Sequence, residues 1–326
     1  MKLSARRGAA LVAASMLVPL AACSQATSSS SSSGSSSGKA TTSVGVGVTG
    51  GFGEKPTLTV PSTSAPARLT TDVLTSGTGT PVTNGQSIVV NYLGQTWDAK
   101  DGKPNVFDNS YDRKTALAIQ LAQGGIIDGW RYGLVGRKAG SRVEMAVPPT
   151  WGYGTQGNPQ AGIKGTDTLV FVVDVKGTYP VTSSAKGKEV AQGDADLPKV
   201  GTNTDGKAPS VEVPKKDAPT ALIANYIIEG DGEALAATDS VLVQYKGLQW
   251  DTGKEFNSTY ESRTLAPFAL SQLVKGWSQG LVGKKVGSRV LIVIPPKLGY
   301  GDSPPSGSGI KKNATLVFTV DILAKL

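Results

Sequence analysis

Apolar residues occupy every second position in three stretches of the chain, and each stretch returns further along with the same period. The first set spans 88–92, 143–147 and 169–175, and the second spans 241–245, 290–294 and 316–322. A period of two puts every second side chain on one face of a strand. We therefore predict three strands in each half of the chain, the middle one ending at a Pro-Pro pair in both halves.

One stretch in each half follows helical spacing instead. In the first half Ile126, Ile127, Trp130 and Leu134 fall at i, i+1, i+4 and i+8, and Gly136 is placed to end the helix. The second half has the matching set Leu273, Val274, Trp277, Leu281 and Gly283. Several strands with one short helix in each half predict the α+β class.

The two halves are copies of one domain. Residues 129–154 return at 276–301 with 16 of 26 positions identical, at an offset of 147 residues. Solenoid and propeller units repeat every 20 to 50 residues or so, which is far shorter. The echo of 54–61 in a segment ending at Pro214 extends the repeat, so we predict domains at 52–179 and 205–326, joined by a polar linker at 180–204.

The first 51 residues are predicted to be an export and lipidation signal followed by a flexible tether. Lys2, Arg6 and Arg7 precede a short apolar run, and Leu20-Ala21-Ala22-Cys23 resembles the bacterial lipobox, in which the cysteine is lipidated and becomes the mature N-terminus. Residues 1–22 would then be a signal peptide, and Cys23 would anchor the protein to the outer face of the cell membrane. An ordinary secretory signal with a chance Cys is the alternative. The Ser- and Gly-rich residues 23–51 predict a flexible tether.

The composition limits which kinds of catalytic site the chain can form. The chain has no His and one Cys, which removes the usual general base, Ser-His and Cys-His nucleophiles, and any disulfide within the chain. The same composition disfavours a structural metal site. No cofactor is predicted. The net charge of +8 falls to about +5 without the signal peptide, and no basic run favours nucleic acid as a partner.

Both copies share aromatic residues at matching places. Trp130 and Trp277 lie at the helix, Phe107 and Phe256 follow a turn, and Tyr153 and Tyr300 lie in Gly-rich loops after Pro-Pro. Plain core packing accounts for any one of them alone. Together they favour an apolar cleft with a few polar donors.

The motifs VxYxG, F-D/N, I/V-x-G-W, PPxxGYG and TLVFxV, in this order in both copies, resemble the FKBP family of macrolide-binding peptidyl-prolyl isomerases. The resemblance implies an antiparallel half-barrel sheet wrapped around one short helix, with a Pro ring seated on the Trp indole. It implies a first site of Tyr92, Phe107, Asp108, Ile126, Ile127, Trp130, Tyr153, Ile163 and Phe171. It implies a second site of Tyr245, Phe256, Asn257, Phe268, Leu273, Val274, Trp277, Tyr300, Ile310 and Phe318. In each set Ile126, Ile163, Leu273 and Ile310 are assigned to substrate binding and the others to catalysis.

The copies depart from the family pattern and from each other. Ile119 and Leu121 stand where the family usually has aromatics, giving a less aromatic rim, while the second copy keeps Phe268 but has Leu270, and has Asn257 for Asp. We expect Asp108 to reach Tyr92 and Arg113, and Asn257 to hold Tyr245 and Arg263 less firmly.

The resulting hypothesis is a monomeric, lipid-anchored isomerase that acts on X–Pro bonds of exported proteins, without covalent chemistry. Its partners would be proline-containing unfolded or extended polypeptides and macrolides of the rapamycin type. The alternative is a chaperone or adhesion module that binds proline segments with little catalysis.

Overall fold

Each half of the chain folds into an antiparallel sheet whose long strands are those predicted from the alternating pattern. The computed structural model describes residues 43–100 and 102–326. The strands of the first half are β1 Gly47–Thr49, β2 Thr57–Thr59, β3 Thr70–Thr75, β4 Ser87–Thr96, β5 Val106–Asn109, β6 Leu117–Gln120, β7 Arg142–Val147 and β8 Leu169–Tyr179. Those of the second are β9 Lys188–Glu189, β10 Lys199–Val200, β11 Val211–Glu212, β12 Ile223–Glu229, β13 Ser240–Gln249, β14 Glu255–Ser258, β15 Ala266–Ala269, β16 Arg289–Ile294 and β17 Leu316–Lys325.

The predicted helices are α2 Asp128–Leu134 and α4 Lys275–Leu281. The expectation of one helix per copy was incomplete, because α1 Ser110–Arg113 and α3 Thr259–Ser262 are also helical. Four residues are a single turn, too short to show a helical period in the sequence. Short 3-10 turns occur at Pro149–Trp151, Gly154–Gln156, Pro159–Ala161, Leu270–Gln272 and Pro296–Leu298.

The first sheet has the strand order β3-β7-β8-β4-β5, with β6 also paired to β4. The second has the order β14-β13-β17-β16-β12-β9, with β15 also paired to β13. One face of each sheet packs on its helix. In the first domain this core joins Trp130 and Leu134 of α2 to Val143 and Val147 of β7 and to Phe171 of β8. The α+β class is confirmed.

The opposite face of each sheet is also covered, which the sequence analysis did not foresee. In the first domain Val44, Val46 and Leu58 pack on Trp97 and Val172. The predicted tether through residue 51 is therefore too long, since β1 and the buried Val44 lie inside it. We call residues 43–60 the first strap. Its apolar residues lie among glycines and serines, so the overall composition of the segment did not predict that they would be buried.

The predicted linker at 180–204 is likewise partly folded onto the second domain. Ala185 and Val200 are buried in a cluster with Trp250 and Val293 on the outer face of the second sheet, and β9 adds to the sheet edge. Polar composition indicated a linker, but a few apolar residues, with backbone hydrogen bonds to the second domain, hold the segment in place.

A smaller apolar cluster contains residues of both domains. Val89 and Ala116 of the first domain pack with Leu242, Leu265 and Leu323 of the second. Val89 and Leu242 occupy matching places on β4 and β13, so the two domains contribute the same face to this contact.

Within the described ranges the helices are all too short or too polar to cross a membrane. The predicted signal peptide, Cys23 and the Ser-rich part of the predicted tether lie outside the described residues.

Candidate active site: two aromatic clefts

Trp130 forms the floor of an aromatic cluster in the first domain. The edge-to-face neighbours of its indole are Tyr92 at 5.2 Å and Phe171 at 5.4 Å between ring centroids, and Phe107 packs on Phe171 at 5.7 Å. Such edge-to-face pairs add about 0.5–1.5 kcal/mol each beyond the area they bury. The structure thus brings together four of the predicted site residues.

The glycine of the VxYxG motif allows this packing. A Cβ added at Gly94 would lie 2.7 Å from Phe171 and 2.8 Å from Phe107, and one at Gly247 would meet Phe318 and Phe256 as closely. The two Phe rings therefore lie directly against the backbone of β4 in the first domain and of β13 in the second. This explains why glycine follows the tyrosine of that strand by two residues in both copies.

A polar network closes one side of the first cleft. The Tyr92 hydroxyl donates to Asp108, Arg113 pairs with the same carboxylate, and Arg113 Nη2 donates to the Tyr92 hydroxyl at 3.0 Å. Burial, together with the neighbouring Asp108, raises the pKa of Tyr92 to about 12. Tyr92 is thus neutral and fixed at any physiological pH. The expected reach of Asp108 to both partners is confirmed.

Sequence reasoning missed two residues that position the cleft tyrosines. The Ser110 hydroxyl accepts the backbone N–H of Tyr92 at 2.9 Å, and Thr259 accepts that of Tyr245 at 2.8 Å. Each hydroxyl residue lies at the start of a short helix, α1 or α3. A hydroxyl residue three places after the repeated Phe in both copies was the available signal.

Two groups near the first cleft, the Tyr153 hydroxyl and the Ile127 N–H, donate no hydrogen bond to any acceptor among the described residues, although the Asn158 side chain is hydrogen-bonded to the Tyr153 oxygen. Tyr153 is 39% exposed, and burial of the rest of its ring raises the pKa of its hydroxyl, which Asn158 nearby lowers to a smaller extent. Ile127 precedes the first residue of α2, and no hydrogen bond among the described residues is donated by its N–H. The first N–H groups of a helix have no intrahelical acceptor. Both groups remain free to bind a carbonyl.

The outer residues of the first site divide into two groups. Ile126, Ile127 and Ile119 are partly exposed beside the cluster, whereas Ile163 is only 3% exposed. Ile163 therefore belongs to the buried core behind the cleft rather than to the exposed lining of the cleft. Leu121 and Leu270 are fully buried, so the expectation that they form part of the rim is wrong. Both residues lie one place beyond the end of a strand, β6 at Gln120 and β15 at Ala269, where a strand pattern no longer predicts which side chains are exposed.

The second domain repeats the cluster around Trp277. Its ring neighbours are Phe318 at 5.1 Å, Tyr245 at 5.4 Å and Phe268 at 5.8 Å, and Phe256 packs on Phe318 at 5.6 Å. Leu273, Val274, Tyr300 and Ile310 lie partly buried around this core. Phe268 pairs with Val241 as Ile119 pairs with Ile88, so Phe268 supplies the extra aromatic wall that was predicted.

The polar network of the second cleft is neutral. The Tyr245 hydroxyl donates to Asn257 Oδ1 at 2.6 Å. Arg263 does not take the place of Arg113, contrary to expectation. It ends α3 in the left-handed conformation with φ 53°, as Lys114 ends α1 with φ 54°. Ser262 stands at the position of Arg113 and donates back to Thr259 O at 3.3 Å. The first cleft thus has a charged side and the second has none there.

The other candidate sites among the described residues are less suited to be the functional site than the aromatic clefts. No group of three or more His, Cys, Asp or Glu in residues 43–100 and 102–326 could hold a metal ion. An open depression of about 800 Å³ lies between Val213–Asp217 and Trp250–Gly253. Its walls hold lysine and aspartate side chains of opposite charge, and we place the site in the aromatic clefts instead.

Known proteins are similar to parts of the chain. The chain is 38% identical over 117 residues to a probable FK506-binding protein of Corynebacterium glutamicum, covering 36% of this chain and 97% of that protein. It is 40% identical over 108 residues to the FKBP-type peptidyl-prolyl cis-trans isomerase FkpA of Escherichia coli, covering 33% of this chain and 39% of that one. The crystal structure of E. coli FkpA aligns with 34% of this chain and 50% of its own, with a TM-score of 0.30.

The family match extends over both halves. Residues 79–176 and 232–323 each match FKBP-type peptidyl-prolyl cis-trans isomerase, and together they make up more than half of the chain. Each range contains one Trp floor with its surrounding rings. The chain therefore belongs to the family of FKBP-type peptidyl-prolyl cis-trans isomerases, with two such domains in tandem.

Proposed function

We propose that this isomerase is anchored outside the cell by a lipid on Cys23 and acts on X–Pro bonds of exported proteins. The sequence of residues 1–23 supports the location, with its basic start, apolar run and lipobox-like end. A monomer is sufficient for this role, because each cleft is built from residues of one domain.

The observation that carries the site assignment is a buried apolar floor together with two N–H or O–H groups that donate to no acceptor among the described residues. Trp130 is 2% exposed, while Tyr153 and the Ile127 N–H have hydrogen-bonding capacity left. A Pro ring would lie on the indole, and the carbonyls on either side of the X–Pro bond would accept from the two donors. Tyr92, Phe107 and Phe171 would exclude water from the bond.

This arrangement suits a reaction that moves no proton. Rotation about an amide costs about 18–20 kcal/mol because resonance is lost in the twisted state. The twisted amide has less charge separation than the planar one, so an apolar cleft favours it. A rate gain of about 10⁵ needs roughly 7 kcal/mol of differential stabilisation. Orientation and burial together are of this size.

The two clefts would differ in their rate of catalysis and in how tightly they bind proline segments. The charged network of Asp108 and Arg113 fixes Tyr92 in the first cleft, whereas the second holds Tyr245 by one neutral hydrogen bond. Phe268 gives the second cleft more aromatic surface. We propose the first domain as the better catalyst and the second as the tighter and slower binder of proline segments. Macrolides of the rapamycin type would occupy the same floors.

Activity is tested in the full chain on a Pro-containing tetrapeptide, with Trp130→Leu and Trp277→Leu made singly and together. Each single variant should retain the activity of the other domain, and the double variant should lose most of it. A double variant that folds, by circular dichroism, and keeps wild-type kcat/KM would refute the assignment of the clefts.

Location is tested separately with Cys23→Ser. Wild-type protein should fractionate with membranes and begin at a lipidated Cys23, and the variant should be released or left unprocessed. A soluble wild-type protein with another N-terminus would show that the anchor is absent while leaving the isomerase assignment intact.

A further inference from the structure

Two aromatic residues of the first domain form an exposed platform next to the cleft. Tyr132 is 55% exposed, and its ring meets the Trp151 ring edge-to-face at 5.3 Å between centroids. Trp151 ends the 3-10 turn after Pro149 and also packs against the core cluster that contains Trp130. We name the pair of Tyr132 and Trp151 the platform.

The platform is held in place rather than loosely exposed. The guanidinium of Arg131 lies over the Tyr132 ring at 4.4 Å and donates from Nη2 to the Tyr132 hydroxyl at 2.9 Å. Arg131 is in turn fixed by Asp128, with Nε to Oδ1 at 3.1 Å, and its side chain is only 13% exposed. An exposed aromatic whose rotamer is already fixed loses little entropy when it binds a partner. Fixed aromatic residues of this kind dominate binding energy at protein surfaces.

The platform is adjacent to the first cleft along the chain, through Trp151 and Tyr153. Trp151 precedes Tyr153 by two residues, so their Cα atoms lie within about 7.6 Å. An extended polypeptide covers that distance in two or three residues, at roughly 3.3 Å each. A client chain whose X–Pro bond is at Tyr153 therefore reaches Trp151 and Tyr132 with its own neighbouring residues.

The second domain lacks this feature at every position. Ser278, Gln279 and Leu298 stand where the first domain has Arg131, Tyr132 and Trp151. The helix, the Pro-Pro turn and the cleft tyrosine are otherwise retained. The fold therefore does not need the platform, since the second copy forms the same elements without it.

We propose that the platform is an extended subsite that binds an apolar or proline side chain of the client polypeptide, two or three residues away from the X–Pro bond in the first cleft. This inference rests on the proposed action on extended polypeptides. It predicts that the first domain distinguishes long substrates from short ones and that the second does not.

The test uses the full chain and two probes, a tetrapeptide with a central Leu-Pro bond and a dodecapeptide with the same centre and Phe- and Pro-containing flanks. The double variant Tyr132→Gln/Trp151→Leu carries the second domain's own residues, so its fold should be preserved. The Trp151 indole N–H signal in the NMR spectrum, assigned by its loss in the variant, should shift with the dodecapeptide and not with the tetrapeptide. The variant should bind the dodecapeptide to the first cleft at least about fivefold more weakly, with tetrapeptide binding unchanged.

Gln279→Ser, at the matching place on α4, is the control and should change neither probe. An unmoved Trp151 signal when the dodecapeptide saturates the first cleft would overturn the proposal. So would an equal weakening of both peptides, because the substitutions would then act through the cleft itself. Failure of the tetrapeptide to bind wild-type protein at all would instead refute the proposed function.

Discussion

Arg142 and Asp174 form a bidentate ion pair on the face of the first sheet that is turned away from the cleft. Arg142 Nε and Nη2 lie 2.7 and 2.8 Å from the two carboxylate oxygens, and both side chains are almost fully buried. The same guanidinium donates to the carbonyls of Gly50 and Glu54, which belong to the first strap. Arg289 and Asp321 repeat the arrangement in the second domain, with donation to Gly201 and Asn203.

The first pair fastens the first strap to its sheet, and the second pair fastens residues 199–203, which we call the second strap, to the other sheet. Removing one partner should therefore be costly. Arg142→Ala leaves Asp174 buried without its counter-ion, and we expect a loss of about 3–5 kcal/mol in the free energy of unfolding. Chemical denaturation of the full chain measures it, and Arg289→Ala is the matched change in the second domain. A loss below 1 kcal/mol in both variants would show that the ion pairs contribute little to the stability of the fold.

Glu144 should make the first domain less stable as pH rises. It lies directly opposite Asp72 across β7 and β3, is 2% exposed, and its Oε1 has no partner among the described residues. Burial, and then the charge of Asp72, raise its pKa to about 7. The folded state therefore favours the protonated acid, so stability from this group is complete below about pH 4.3 and is lost as pH rises to about 7. The loss is on the order of 3 kcal/mol.

Glu144→Leu tests this, because Leu291 occupies the matching place in the second domain. The variant should be more stable than wild type at pH 8, with the difference shrinking toward pH 5. Asp72→Asn keeps an acceptor for the Val44 N–H while removing the charge, so it should weaken the pH dependence. A difference between Glu144→Leu and wild type that stays constant from pH 5 to 8 would contradict the titration.

The charged network of the first cleft should have a small effect on catalysis. Asp108 and Arg113 are each close to half exposed, and ion pairs at such sites contribute about 0.2–1 kcal/mol. Asp108→Asn with Arg113→Ser reproduces the second cleft and should lower kcat/KM of the first domain by up to about fivefold. The reverse change, Asn257→Asp with Ser262→Arg, should raise that of the second. Both are measured in the full chain with the other Trp floor replaced by Leu, and a second domain that is already faster and indifferent to the change would reverse the proposed division.

Removal of the Tyr153 hydroxyl should cost one hydrogen bond to the substrate. Such a bond contributes about 0.5–1.5 kcal/mol, so Tyr153→Phe should lower kcat/KM of the first cleft roughly twofold to tenfold without changing stability. Tyr300→Phe is the counterpart in the second cleft. An unaltered rate constant with the tetrapeptide, in a background of Trp277→Leu, would mean that the hydroxyl does not hold the carbonyl.

The sequence by itself determined the two copies, their long strands, the helices α2 and α4 and the aromatic set of each cleft. These features are local or repeated. A period of two or 3.6 can be recognised from neighbouring residues alone, and the offset of 147 residues matches Trp130 to Trp277 without a structure. The clustering of Trp130 with Tyr92 and Phe171 followed from the family resemblance and not from the pattern alone.

Only the tertiary structure decided what the apolar residues outside that pattern do. Val44 and Val200 dock their straps because the outer sheet faces offer apolar surface, and burial there outweighs a polar, Gly-rich local composition. The position of Arg263, by contrast, was readable from the sequence, since six residues after the repeated Phe lies Arg113 in the first copy and Ser262 in the second. The structure confirms that register, with Arg113 and Ser262 as the last residues of α1 and α3. Side chains distant in sequence meet through the pairing of strands, and a pattern along one strand carries no record of which partner lies across from it.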